Sequence, residues 1–352
     1  MNTPLLIAVI LLIAAGIAAA IFYRPKKPRR FESLYTDALN AIVRGDSKTA
    51  IKLLREVVKK NTNHIDAYLQ MGEILRGEGN PHQAIKIHQS LTVRPNLDDK
   101  LKVEIHRSLA LDYLSVNNLI KSKQEAHFIF KLEKKNIWAL EFLLDIAERE
   151  RDWVSAAKLS KNIQKITQQK DAGKLAQFQV YDGLDKLSKD DRVAAKKCFN
   201  KALEIDPNYG QAHRRLGDYY SDDRDLINAI DHWEKFALLD PSNVGNIFSK
   251  IETALYDLGR YSEVEKFYKR ILEKNPSNLD ALSHMANVLE EKGERQQALE
   301  LLDSAMKKFD TSVRAHLMKL KLSITTIPPH ELSQQIDKII ELVSGKEESD
   351  SH

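Results

Sequence analysis

The sequence predicts an all-α solenoid of antiparallel helix pairs, preceded by one apolar helix that crosses a membrane. Three observations predict it. The 352 residues include 13 glycines and 10 prolines, about half the usual share, whereas a β-sandwich or barrel needs turn residues every few positions. A 34-residue period runs through the body. Pro207 and Pro241, Gly183 and Gly217, Ala195 and Ala229, Phe199 and Trp233, Ala50 and Ala84, and Val264 and Ala298 are each 34 apart, and Pro276 follows Pro241 by 35. Finally, no charged side chain occurs from Met1 through Tyr23, and about 20 helical residues at 1.5 Å each span a ~30 Å hydrocarbon core.

Residues 1–23 are therefore expected to be a transmembrane anchor. The competing assignment is a cleaved signal peptide, with Ala18-Ala19-Ala20 at the cleavage site, but a signal peptide carries its basic residues before the apolar run. Here Arg24, Lys26, Lys27, Arg29 and Arg30 follow it in a linker, residues 24–30. Basic residues beside a membrane helix stay on the cytoplasmic side and lie against anionic headgroups. They supply five positive charges, so the formal +4 of the chain becomes −1 outside the linker. A nucleic-acid partner, which needs a broad basic surface, is not expected.

Residues 31–310 divide into roughly eight units, beginning near Phe31, Ile65, Val103, Ile137, Ala176, Gly210, Gly245 and Leu279. The period and its register are those of the tetratricopeptide repeat, so the expected architecture is a tetratricopeptide repeat superhelix. The clearest unit runs from Gly210 to Asn243. Gly217 and Ala229 are small because two helices cross there, Tyr220 and Trp233 fill the space beside the crossing, and Pro241 stops the second helix for want of an N–H. The third and fifth units follow longer gaps, whose extra residues are assigned to Pro95–Asp99 and Thr167–Asp171. The fourth unit has Leu144 where glycine or alanine is usual. Residues 311–344 are expected to cap the array with two helices, Val313–Ile324 and Glu331–Val343, separated by Pro328-Pro329. Residues 345–352 are expected to be a disordered tail.

No catalytic motif is present: no glycine-rich phosphate loop, no G-x-S-x-G and no H-E-x-x-H. The protein is expected not to be an enzyme and to carry no cofactor. The single cysteine, Cys198, excludes an internal disulfide and a multi-cysteine metal site, and its place on a second helix suits a small buried side chain better than a reactive thiol. His82 and His88 lack the i, i+3 or i+4 spacing that puts two ligands on one helical face, so no metal is expected. The expected role is binding of protein partners in the concave groove lined by first helices. By the family's convention the groove positions are the second, fifth, ninth and twelfth of a unit: Asp66, Leu69, Glu73 and Arg76; Gln211, Arg214, Asp218 and Ser221; Asp280, Ser283, Asn287 and Glu290. Asn287 matches a residue type of the carboxylate clamp of chaperone-binding arrays, but Ser283 and Asp218 do not complete such a clamp.

The second and third units carry a more specific resemblance. Met71-Gly72-Glu73-Ile74-Leu75-Arg76-Gly77-Glu78-Gly79, then Gln83-Ala84-Ile85-Lys86-Ile87-His88-Gln89-Ser90-Leu91, and Leu111-Asp112-Tyr113-Leu114 resemble the lipopolysaccharide assembly protein B family of Gram-negative bacteria. Arg76, Gly79, His88, Gln89, Asp112 and Tyr113 carry the likeness. The plan also agrees: an N-terminal anchor, a basic stop, then repeats. The resemblance implies a scaffold on the bacterial inner membrane with its repeats in the cytoplasm. It also implies an adaptor between a membrane protease such as FtsH and the deacetylase of lipid A synthesis. The family ends in a rubredoxin-like zinc module with two C-x-x-C pairs; this sequence ends Lys346-Glu347-Glu348-Ser349-Asp350-Ser351-His352, and no zinc module is expected. A different-class alternative is a periplasmic or secreted repeat protein of envelope assembly. His88 stands where the repeat usually packs a phenylalanine. It is expected either as a satisfied core histidine or as a contact for Arg76 or a partner, with Gln89 similarly employed. Arg76 has a rival role as well, pairing with Glu73 or Glu78 on its own helix.

Overall fold

The computed structural model describes residues 31–241, 243–306, 312–324 and 327–349. The expected membrane helix and the basic linker lie outside them. Among the described residues there are eighteen α-helices and no strand, and no helix is long and apolar enough to cross a membrane. In chain order they are α1 (Phe31–Val43), α2 (Ser47–Lys60), α3 (Ile65–Gly77), α4 (Pro81–Thr92), α5 (Asp99–Ser115), α6 (Leu119–Leu132), α7 (Ile137–Arg149), α8 (Trp153–Thr167) and α9 (Ala172–Leu187). There follow α10 (Arg192–Ile205), α11 (Gly210–Asp222), α12 (Leu226–Leu239), α13 (Ile247–Asp257), α14 (Tyr261–Lys274), α15 (Leu279–Glu291), α16 (Arg295–Met306), α17 (Val313–Ser323) and α18 (Pro329–Ser349). The chain forms two compact units that divide within α7, after Ile146.

The turn inside each of the first eight helix pairs is built one way. A single residue with positive φ ends the first helix: Gly45, Gly79, Asn117, Arg151, Asp190, Arg224, Gly259 and Gly293. The next amide then reaches back five residues, as Asn80 N–H does to Leu75 O (2.8 Å), Asp152 N–H to Ala147 O (2.8 Å) and Asp225 N–H to Tyr220 O (2.9 Å). This is the Schellman closure, which satisfies carbonyls at the helix end. Asp46, Asn118, Asp152, Asp191 and Asp225 then cap the second helix, each accepting an amide three residues on.

The crossing within a pair depends on glycine in three places. A Cβ on Gly217 would lie 2.6 Å from Trp233 Nε1, one on Gly183 2.8 Å from Phe199 Cδ1, and one on Gly72 2.5 Å from His88 Cε1. Trp233, Phe199 and His88 thus occupy one equivalent site, fully or almost fully buried in each case. Neighbouring pairs then bury each other's remaining apolar faces. In the first unit Leu34, Leu54, Val57, Met71 and Leu75 pack together; in the second, Trp233, Phe236, Phe248, Ile251, Phe267 and Tyr268 do.

Two expectations need correction. The extra residues of the third and fifth units do not all sit in loops. Asp98 caps Leu101 N–H at 2.7 Å and Asp171 caps Lys174 N–H at 2.7 Å, so α5 and α9 begin one turn early and run 17 and 16 residues, against 13 for α3, α11 and α15. At the C-terminal end, α18 starts at Pro329, where the missing N–H is harmless, and continues past Val343 through residues expected to be tail, to Ser349.

Candidate functional site

In the first unit the residues that carry the family resemblance converge on Asp112. Its carboxylate is wholly buried and accepts from Arg76 Nη1 at 2.8 Å, while its other oxygen lies 2.5 Å from His88 Nδ1. His88 is also wholly buried, and its Nε2 faces Leu69 O at 3.3 Å. Arg76 donates a longer bond to Ser108 O (3.4 Å) and approaches Glu73 at 3.7 Å. Beside this group Gln89 Nε2 donates to Tyr113 OH at 2.6 Å. Arg76, His88 and Asp112 thus tie α3, α4 and α5 together, and Gly79 (φ +77°) makes the turn that returns α4 onto α3. A buried carboxylate is tolerable only when its lone pairs are filled, which this arrangement achieves.

That geometry buries one groove candidate and ties a second, half-buried one to the neighbouring helix. Leu69 is 8% exposed and packs against Leu91, Ile105, Leu109 and Tyr113. Arg76 turns its guanidinium to Asp112 across to α5, so of the rival pairings Glu73 contributes a distant one. Asp66 and Glu73 are exposed.

In the second unit the groove positions stitch successive first helices at intervals near 34. Asp218 accepts from Lys250 Nζ (2.7 Å) and from Trp233 Nε1 (3.2 Å). Asp280 pairs with Arg314, Ser283 Oγ donates to Met318 Sδ at 2.9 Å, and Lys321 Nζ reaches both Asn287 Oδ1 (3.2 Å) and Glu290 (3.0 Å). Glu252 continues the ladder, accepting from Tyr268 OH at 2.7 Å with His284 Nδ1 at 3.1 Å; burial, then Glu252, raises the Tyr268 pKa. Arg214 lies over the Phe236 ring at 5.6 Å, its buried Nε without a partner. Gln211 is half-buried on α11.

Ser221 opens onto a cavity of about 570 Å³ between α11 and α13, lined also by Trp233, Asn246, Ser249, Lys250 and Thr253. Sequence reading did not single out Asn246, Ser249 and Thr253. They are the second, fifth and ninth residues counted from Gly245, so the rule that gave the other positions finds them in the unit where it was not applied. Ser249 and Thr253 are exposed. The lining mixes hydroxyls and the edge of an indole with Lys250, Arg224 and the carboxylates of Asp222 and Asp257, a set that suits a polar extended peptide segment.

Cys198 is buried, and its thiol donates to Asp182 at 3.3 Å. Burial first, then Asp182, pushes it up to about 11, against a reactive role. Among the described residues no group of three or more His, Cys, Asp or Glu is placed to hold a metal ion.

Paired helices, glycine crossings and a row of first helices make up a helix-pair solenoid of the tetratricopeptide type. Models described as "Tetratricopeptide repeat" match residues 255–322 and 187–209. Two curated proteins similar to the chain are each called Lipopolysaccharide assembly protein B. The one from Escherichia coli (strain K12) is 22% identical over 256 residues, 73% of this chain and 66% of that protein. The one from Haemophilus influenzae (strain Rd) is 22% identical over 299 residues, 82% of this chain and 74% of that protein. These proteins are homologues of the chain, which spans about two thirds of the length of the Escherichia coli relative.

Proposed function

We propose that the protein is a non-enzymatic scaffold of lipopolysaccharide assembly, anchored in the bacterial inner membrane by residues 1–23 with its repeats on the cytoplasmic side. The observation that carries this reading is similarity to Lipopolysaccharide assembly protein B along 73–82% of the chain. The apolar run through Tyr23, followed by five basic residues, supports the anchor and its orientation. Partners are bound as extended segments in the groove between α11 and α13, through Ser221, Ser249, Thr253 and the Trp233 edge. A membrane protease such as FtsH and enzymes of lipopolysaccharide synthesis are the partners in this reading.

The test is affinity capture from detergent-solubilised membranes, comparing the parent with Ser249→Arg/Thr253→Arg. Both positions are exposed, so the substitutions fill the groove with little effect on stability. The parent should recover a membrane protease or an enzyme of lipopolysaccharide synthesis, and the variant should lose it. Equal recovery removes the groove from the proposal; a parent that recovers neither class removes the lipopolysaccharide role. A reporter fused to the C-terminus and active only in the cytoplasm checks the orientation.

A further inference from the structure

Two second helices of the second unit, α8 and α10, share a charge pattern that the groove does not use. On α8 the exposed face is Val154, Lys158, Lys161 and Lys165, at steps of four, three and four residues, and the helix contains no acidic residue. On α10 the exposed positions are Val193, Lys197, Asn200, Lys201 and Glu204, with Glu204 the one carboxylate of that helix. The two faces adjoin: Val154, Lys158 and Lys161 share a surface cleft of about 290 Å³ with Lys201 and with Asp182, whose carboxylate is taken up by Lys186 and the Cys198 thiol.

The other cations of α10 are already engaged. Arg192 pairs with Asp222 (3.3 Å) and Asp223 (2.7 Å), and Lys196 sits over the rings of Tyr219 and Tyr220. Lys158, Lys161, Lys165, Lys197 and Lys201 make no salt bridge among the described residues. Five unpaired lysines on two adjoining helices are a concentration of charge, since the chain outside residues 24–30 sums to −1.

We propose that this face docks onto an anionic lipid surface. The side-chain chemistry selects that partner over an acidic protein segment. A fixed carboxylate or phosphate on a folded partner is best held by the planar fork of arginine, whereas lysine is a point charge on a flexible stem. The exposed lysines here match a plane of mobile headgroups whose positions are not fixed. Val154 and Val193, 53% and 78% exposed, stand in the first turns of their helices and offer apolar groups to the headgroup boundary. The inference rests on the anchored reading above, because residues 1–23 would hold the chain at the bilayer.

The test uses the full chain in vesicles of phosphatidylcholine, with or without phosphatidylglycerol. A donor dye on Asn200→Cys reports energy transfer to acceptor-labelled headgroups; Cys198 is buried and competes poorly for the dye. Transfer should be high with phosphatidylglycerol, low without it, and reduced when salt is raised through screening. Lys158→Gln/Lys161→Gln/Lys201→Gln should lower the ratio of docked to undocked protein about a hundredfold, with an unchanged helical spectrum. Transfer that ignores lipid charge, or that survives the triple substitution, overturns the proposal. So does a triple variant that keeps transfer but loses an acidic protein partner, which would make the face a protein interface. Extraction with alkaline carbonate separates this inference from the anchor. A chain that is extracted yet binds anionic vesicles in a salt-sensitive way keeps the docking face and loses the anchor. Resistance to extraction with lipid-independent transfer does the reverse.

Discussion

Gly217→Ala adds one methyl group and should destabilise the protein, although alanine is the better helix former. The new carbon would lie 2.6 Å from Trp233 Nε1 and 2.9 Å from Cγ, where unstrained carbon contacts fall near ~3.5–4.0 Å. The indole must therefore retreat by about 1 Å. It is 2% exposed, so it has nowhere to go without moving its neighbours, and overpacking of this kind costs ~1–3 kcal/mol. Displacement also stretches the bond from Nε1 to Asp218, already 3.2 Å, at about 0.5–1.5 kcal/mol. Against these stands a gain of about 0.8–1.0 kcal/mol in helix propensity. The net is a loss of roughly 1–3 kcal/mol. Gly77→Ala is the control. Gly77 is also helical, and nothing lies within 4 Å of its added Cβ, so only the favourable propensity term remains. Thermal unfolding of the full chain in detergent, followed by far-UV circular dichroism, reads both; about 1 kcal/mol corresponds to ~2–4 °C for a unit of this size. Gly217→Ala should lower the midpoint by several degrees and Gly77→Ala should leave it level or raise it. In a double-mutant cycle, Trp233→Leu should make Gly217→Ala nearly neutral. Shifts of the same sign for both alanines, or a cycle without coupling, would refute the close crossing at this pair.

Asp112→Ala leaves Arg76 and His88 facing each other without the buried carboxylate and should cost ~3–5 kcal/mol; hydrogen exchange should quicken in α3–α5, and unchanged protection there would remove Asp112 from the hub. Arg224 holds φ +62°, a strain of about 1–2 kcal/mol for a residue with a Cβ, so Arg224→Gly should raise the midpoint, and a fall would count against the strained turn. His232 and His213 place their Nδ1 atoms 2.9 Å apart. Burial, then His213, pulls His232 down to about 4, and burial lowers His213 as well. The unfolded chain therefore binds more protons between pH 6.5 and about 4, and stability should fall as pH falls through that window. The full His232 shift would be worth about 3 kcal/mol and less after solvent screening of a part-exposed ring, and a pH slope that persists unchanged in His232→Phe would assign the effect elsewhere. Cys198, pushed up to about 11, should react with iodoacetamide at pH 8 at least about a hundredfold more slowly than an ordinary thiol near 8.5, and an ordinary rate would mean that its helix pair opens readily.

The sequence made the helix pairing legible because the crossing requires both a small residue and a large one at fixed distance, as in Gly183 with Phe199 and Gly217 with Trp233. The turns were less legible. Four use glycine at the left-handed position, but Arg151, Asp190 and Arg224 hold the same conformation because the backbone closure across the turn dictates it whatever the side chain. The longer units are hard to read for a local reason: Asp98 and Asp171 are ordinary loop residues until their carboxylates cap a helix. The buried hub was the least accessible feature. Arg76, His88 and Asp112 stand 12 and 24 residues apart on three helices, and only packing shows that one carboxylate serves the other two. The groove follows the same logic. A side chain at a first-helix position is equally able to meet a partner or the corresponding first helix of the next repeat, and the repeat places that helix about 34 residues on. Asp218, Asp280, Ser283, Asn287 and Glu290 are engaged in that way, which fixes the spacing of the first helices. Ser221, Ser249 and Thr253 line a cavity between α11 and α13, beside the Asp218–Lys250 rung. In the proposed reading, recognition there would use these hydroxyls together with Lys250, Arg224, Asp222 and Asp257 of the same lining. Such a lining would read both the path of a partner's backbone and its charge.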